Sequence, residues 1–267
     1  MSYDVVDLRD FYATGLGAAS RRQVRKRIHA LWPDIGGMSL LGYGYATPYL
    51  RPFMDEAMRV CAVMPERMGV LSWPPRETGL GNIVTVARED EIPLPDLSIN
   101  RILMVHGLEY AENTAQMLRE MWRVLSDGGR LMVVVPNRRS IWARADHTPF
   151  GHGRPYSMEQ LNRQLRQAMF TPVHEARALY FPPSRRRFWL AAAAAWERVG
   201  ARWFSPLGGV AIVEATKQIY SGEMAGQRVR RRSYMPVPAT APQAAREIGH
   251  APRAVLVAGG GELSPAK

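Results

Sequence analysis

The hydrophobic positions of this chain change period several times, and each change marks an element. Val24, Ile28 and Leu31 recur at helical spacing, while the opposite face carries Arg21, Arg22, Arg25, Lys26 and Arg27. Trp32-Pro33 and Gly36-Gly37 end that helix. Short apolar runs then follow at 38–41, 59–64, 82–86, 101–105 and 130–135, each read as a strand. Leu131-Met132-Val133-Val134-Val135 is apolar throughout, and a strand without alternation is buried on both faces. A helix over 113–125 carries the stripe Met117, Leu118, Met121, Val124 and Leu125, with Asn113 as its cap and Gly128-Gly129 as its stop. Further on, Ser157-Met158-Glu159-Gln160 is a capping box opening a helix to about Met169. A strand over 173–180, an Ala-rich helix over 184–203 and a strand over 209–219 complete the pattern. Strands alternating with helices over about 100 residues predict a doubly wound sheet.

The first strand ends in the turn Gly42-Tyr43-Gly44-Tyr45-Ala46. Glycine at 42 suits a sharp strand-to-helix bend, and Gly44 has no Cβ to hold a ligand away from the main chain. Thr47 is read as an N-cap and Pro48 as the first helical residue, so a helix N-terminus is expected to point over the glycines. The spacing lacks the third glycine of a dinucleotide fingerprint, and no acidic residue ends the second strand, which argues against a nicotinamide dehydrogenase.

The chain has 267 residues and is 46% hydrophobic, enough for a full core. Its organisation is read as an N-terminal helical addition over 1–37, a main domain over 38–221, and a basic Pro/Ala/Gly-rich tail over 222–267 expected to be disordered. No run approaches the roughly 18 consecutive apolar residues of a membrane span. Met1-Ser2-Tyr3-Asp4 has neither a basic nor an apolar start, so no secretory signal is expected and a cytoplasmic location is. The single cysteine, Cys61, excludes an internal disulfide and a Cys-based zinc cluster. The net charge of +11 gathers at the basic helix, at Arg185-Arg186-Arg187 and at Arg228, Arg230, Arg231 and Arg232. These clusters are either solvated faces or a docking surface for a protein partner. The absence of an RNA-binding signature disfavours nucleic acid.

Residues 92–137 carry the most specific motifs. They read Ile92-Pro93-Leu94-Pro95-Asp96-Leu97-Ser98-Ile99-Asn100, then His106-Gly107-Leu108-Glu109-Tyr110, then Leu118-Arg119-Glu120-Met121-Trp122-Arg123-Val124-Leu125-Ser126-Asp127-Gly128-Gly129-Arg130-Leu131, ending at Pro136-Asn137. This succession resembles the class I S-adenosylmethionine-dependent methyltransferases, in particular a compact small-molecule group. The resemblance implies a Rossmann-like, seven-stranded, mostly parallel sheet with an antiparallel last strand and helices on both faces.

It also implies S-adenosylmethionine as cofactor, held by Gly42, Tyr43, Gly44, Ala46, Met64, Pro65, Glu89, Asp90, His106 and Gly107. The sequence departs from the family at its acidic positions. Leu40, Met64-Pro65 and Arg88 stand where carboxylates are usual, with Glu66, Glu89 and Asp90 nearby as substitutes. Each lost charged hydrogen bond removes roughly 1.5–3 kcal/mol of binding. The loop Asp146-His147-Thr148-Pro149-Phe150-Gly151-His152-Gly153-Arg154-Pro155 lies on the expected carboxyl edge of the sheet. His152 or His147 is read as a base for an acceptor O–H or N–H, and Arg154 as a clamp for a substrate anion, with no resident metal expected. Two functional readings remain open at this point. One is methyl transfer to an O or N atom of a small-molecule acceptor. The other is a catalytically silent methyltransferase fold serving as a binding partner.

Overall fold

Seven strands hydrogen-bond in one sheet: β1 (Ser39–Gly44), β2 (Arg59–Pro65), β3 (Val84–Ala87), β4 (Ile99–Val105), β5 (Leu125–Pro136), β6 (Phe170–Ala178) and β7 (Val210–Lys217). Their order is β3-β2-β1-β4-β5-β7-β6. The structure is a computed structural model that describes residues 4–218 apart from 76, 77 and 80. The expected tail over 222–267 lies outside the described residues. β1 pairs parallel with β2 and β4, β2 with β3, and β4 with β5. β7 runs antiparallel to β5 and β6, so among the described strands it alone is reversed.

Alternation along the strands sorts side chains into two cores. Leu40, Met64, Leu103, Val105, Met132 and Val134 face one side, where α1 (Val5–Ala13) and α2 (Gly15–Leu31) cover them. Leu41, Tyr43, Val63, Met104, Val133 and Val135 face the other, under α4 (Thr114–Val124) and α5 (Met158–Gln167). Val5, Leu8, Phe11, Val24 and Ile28 belong to the same cluster as the sheet residues of the first side. Residues 5–31 therefore form a wall of the first core.

Local differences from the sequence pattern have identifiable causes. The helix after the glycine turn, α3 (Thr47–Leu50), is four residues long and is capped by Ala46 with no side-chain bond, so Thr47 is helical rather than capping. Pro52 follows at once, lacks an amide donor, and sits in a 3-10 turn at Arg51–Phe53. So short a helix has little dipole to offer a ligand. The Ala-rich helix splits into α6 (Arg187–Ala191) and α7 (Ala193–Trp203) at Ala192. α4 ends at Val124, and β5 begins at Leu125 and runs through Gly128-Gly129 instead of starting after them. Asn113 caps α4 by accepting from the Gln116 amide, and Ser157 and Gln160 close the capping box of α5.

One buried carboxylate ties the N-terminal wall to the reversed end of the sheet. Glu214 on β7 is fully buried, with Oε1 accepting from Trp32 Nε1 at 2.8 Å and from Arg130 at 3.0 Å. Its Oε2 lies 2.8 Å from His174 Nδ1. Burial pushes this carboxyl up, but the hydrogen bonds from Arg130, Trp32 and His174 outweigh it and hold it below the usual carboxylate range. Because the folded value is depressed, the stabilisation is complete above the unfolded value of about 4.3 and disappears as pH falls through the folded one. Glu214→Ala strands the Trp32 indole N–H, so we expect a loss of about 2–3 kcal/mol in urea unfolding at pH 7. Glu214→Gln should lose less, and its unfolding free energy should fall less steeply on acidification than that of the native chain.

Candidate active site

The carboxyl edge of the parallel strands is built around a close approach of two backbones. β1 and β4 are paired in register up to Gly44 and Val105. Gly44 has a φ of +76°, and a Cβ added there would lie 2.4 Å from the Val105 carbonyl oxygen and 3.0 Å from the Gly107 amide. Its glycine is thus required by the strand contact itself. Gly42 has a different neighbour, since a Cβ there would meet Leu50 Cδ1 at 2.6 Å. Immediately past β4, His106 holds a φ of +52°, a strained conformation for a side chain with a Cβ.

That conformation places the His106 ring in a buried polar chain. Its Nδ1 lies 3.0 Å from Glu109 Oε1 and its Nε2 lies 2.8 Å from the Tyr12 hydroxyl. The Tyr12 hydroxyl is in turn 2.8 Å from that of Tyr49. All four side chains are at most 4% exposed. A proton on Nδ1 directed at Glu109 leaves Nε2 to accept from the Tyr12 hydroxyl, which can then accept from Tyr49. The second carboxylate oxygen of Glu109 is buried with no partner among the described residues. Burial drives the Tyr12 phenol well above its usual value, with Tyr49 adding to the shift. Burial pushes Tyr45 up to about 12. Tyr45 stacks on Tyr12 with ring centroids 5.7 Å apart. Both tyrosines are buried, and the Tyr12 ring lies 5.9 Å from that of His106.

Further along the same edge lies a cleft of about 270 Å3 lined by Pro65, Glu66, Arg88, Glu89, Asp90 and Asn113, among others. Asp90 is held by a two-pronged bond from Arg88 and is depressed by it, whereas Glu89 accepts the Glu112 amide at 3.1 Å. Tyr43 packs its ring under Gly107, and its buried hydroxyl has no partner among the described residues. Burial and then the charges of Glu89 and Asp90 raise it, so its hydroxyl feels the acidic side of the edge.

The sequence-derived site residues divide accordingly. Gly44, His106 and Gly107 meet at the β1–β4 approach, and Pro65, Glu89 and Asp90 line the acidic cleft. Gly42, Ala46 and Met64 are buried, with Gly42 and Ala46 close under Leu50. Tyr43 lies on the opposite face of the sheet from Met64. The 146–155 loop does close on this edge. The Arg154 amide donates to the Glu109 carbonyl at 2.9 Å, and Phe150 lies 5.1 Å from the His106 ring. Its histidines do not turn inward. His147 Nε2 bonds the Pro183 carbonyl at 2.8 Å, His152 Nε2 bonds the Asp146 carbonyl at 2.7 Å, and the Arg154 side chain is exposed. Tyr12, Tyr49 and Phe150 were missed as site residues. The signal for Tyr12 was the apolar face Leu8, Phe11, Tyr12 of a helix treated as peripheral.

A sheet of this order with its ligand edge at β1, β2 and β4 defines the class I methyltransferase architecture. Comparison with known proteins agrees: a methyltransferase-domain family matches residues 17–175, more than half of the chain. The chain belongs to this family of S-adenosylmethionine-dependent methyltransferases. A probable S-adenosylmethionine-dependent methyltransferase of Mycobacterium tuberculosis is 35% identical over 85 residues, which is 31% of this chain and 31% of that protein. This match spans about a third of the relative's length. Among solved structures, an S-adenosylmethionine-dependent methyltransferase of Thermotoga maritima superposes with a TM-score of 0.58 at 19% identity, covering 80% of this chain and 96% of the other. The [4+2]-cyclase SpnF superposes at 0.52 with 23% identity over 74% of this chain and 81% of its own.

Gly44→Ala tests the structural role of the turn. The αL conformation alone costs an alanine about 1–2 kcal/mol, and the clash with Val105 adds to it. A thermal unfolding midpoint lowered by several degrees is expected before any ligand is added. An unchanged midpoint would return this glycine to a role in ligand binding only.

Proposed function

We propose that the protein transfers a methyl group from S-adenosylmethionine to an O–H or N–H group of a small acceptor, with His106 as the base. The observation that carries this reading is the Glu109–His106 pair with the Tyr12 hydroxyl 2.8 Å from Nε2. That distance lies within the reach a general base needs, and the carboxylate behind the ring fixes its tautomer. In this arrangement the Tyr12 hydroxyl stands in for the acceptor's protic group.

The residues fit the nucleoside half of the cofactor. Glu66 begins the turn after β2, and Glu89 and Asp90 follow β3, so carboxylates face the cleft although the usual positions hold Pro65 and Arg88. Glu66 and Glu89 would accept from the ribose hydroxyls, and the unpartnered Tyr43 hydroxyl is a further polar group beside them. The methionine half would run toward Gly44 and His106, into space that Tyr12 and Tyr45 now fill. α1 must therefore shift for the site to load. When bound, the cofactor supplies a methyl group on a sulfonium, and alignment plus deprotonation of the acceptor suffices for transfer. His106 takes the acceptor's proton on Nε2 as the new bond to carbon forms, and Glu109 offsets the charge that appears on the ring. Phe150 keeps water from the imidazole. His152, His147 and Arg154 stand on the outer side of the loop, where they would meet the acceptor as it arrives.

A second reading is favoured by the filled hollow. A tyrosine cluster that never opens would leave a silent fold acting as a binding partner, and the cyclase neighbour shows that this architecture does not by itself fix a reaction.

Calorimetric titration with S-adenosylhomocysteine separates the two readings. Micromolar binding is expected, with amide exchange of Val5–Ala13 faster in the complex because Tyr12 is displaced. Glu66→Ala should weaken binding about 10- to 100-fold. No heat at saturating ligand would leave the silent fold. With an acceptor found by screening phenols and amines, His106→Ala should lower kcat by about 10²–10⁴. His152→Ala should lower it far less, and the reverse order would transfer the base to the loop.

A further inference from the structure

The basic face of α2 is not a uniformly solvated surface. Arg21, Arg22, Arg25, Lys26 and His29 line one side of a cleft of about 670 Å3, and Arg51, Thr47, Pro48, Pro52 and Trp73 close the other. No carboxylate lines it among the described residues, and no ion pair there engages any of its five Arg and Lys side chains. The adjoining Arg27 is a useful contrast, because it is not part of this lining and its charge acts on Tyr180 and Glu197.

Concentrating cations without counter-charges is unfavourable for the empty protein. Arg21 with Arg25, and Arg22 with Lys26, are like charges four residues apart on a helix, which destabilises it. Partial burial, and then repulsion from Arg21 and Arg51, lowers the Arg25 guanidinium below its usual value. Arg51 comes from a different element, so the convergence is made by tertiary packing rather than by one helix face alone. A volume of this size suits a small ligand, and the α2 cations span only about 12 Å of helix from Arg21 to His29. Such a length is short for tracking a nucleic-acid duplex. Arginine forks match phosphoryl oxygens two at a time, and several phosphoryl groups in a row are needed to balance so many cations.

We propose that this cleft binds a compact oligophosphate, with Arg21, Arg25 and Arg51 gripping the phosphoryl oxygens and Lys26 neutralising the remaining charge. Trp73, flanked by Pro48 and Pro52, supplies a flat apolar wall on which a ring carried by the oligophosphate can lie. The site shares no lining residue with the cleft at Glu66, Glu89 and Asp90, and its occupancy does not depend on methyl transfer.

The test is calorimetry on the full chain with sodium tripolyphosphate and with adenosine triphosphate, without any methyl donor. Micromolar binding at low ionic strength is expected, weakened strongly at 0.5 M salt by screening. Arg25→Glu and Arg51→Glu should each weaken it about 10-fold or more, without lowering the thermal midpoint of the ligand-free chain, whereas Arg27→Glu should leave it unchanged. Equal affinity for the two probes assigns recognition to the phosphoryl groups alone. Tighter binding of the nucleotide, lost in Trp73→Ala, adds the ring. Binding weaker than millimolar for both probes overturns the proposal, as does equal binding by Arg25→Glu or binding confined to an RNA oligonucleotide.

Discussion

The site depends on two backbones that meet without a side chain between them. Gly44 lets the end of β1 lie against the Val105 carbonyl, and the chain leaving β4 must then turn through His106 at a positive φ. That turn swings the imidazole away from the sheet and into the space between α1 and the 146–155 loop. Replace the hydrogen of Gly44 by a methyl group and the strand ends must separate, carrying His106 with them. The strain at residue 106, of order 1–3 kcal/mol, is held in place by Tyr12, Glu109 and Phe150 on three sides.

The polar chain from Tyr49 through Tyr12 and His106 to Glu109 has its own logic. Buried polar groups are tolerated when each finds a partner, and here one oxygen of Glu109 does not. The network leaves one oxygen of Glu109 able to accept a further donor. Tyr12 is its most replaceable member, because it arrives on α1, while His106 and Glu109 share one short loop after β4.

Much of the scaffold was legible in the chain. The unbroken apolar run of β5 and the capped stripe of α4 follow from periodicity and from Asn113, and the reversed β7 follows from the family resemblance. The glycine turn was located correctly, but its physical reason was not, because the partner of Gly44 is the backbone of a strand about 60 residues later. No local pattern states which carbonyl will sit 2.4 Å from a missing Cβ. The 146–155 loop lies on the carboxyl edge of the sheet, where the topology puts it. Which side chain it would insert was decided by solvation: Phe150 gains from burial against Trp142 and Phe11, while His147 and His152 reach backbone carbonyls nearer the surface. Tyr12 escaped notice because a helix read as an appendage offers no reason to examine its buried face.

α2 shows how one element can serve two opposed demands. Its apolar side, with Leu16, Ala19, Val24 and Ile28, closes the first core, and Trp32 at its end anchors to Glu214. That burial fixes the rotation of the helix, so Arg21, Arg22, Arg25 and Lys26 have no freedom to turn away from Arg51. A free helix would relieve the repulsion by rotating or fraying, and this one can do neither. The charge on the cleft is therefore a consequence of the hydrophobic seal behind it, and it is as permanent as the fold. The two clefts described above consequently differ in kind. One gathers carboxylates at the ends of β2 and β3, whereas the other gathers arginine and lysine between α2 and Arg51, with proline and tryptophan in its lining.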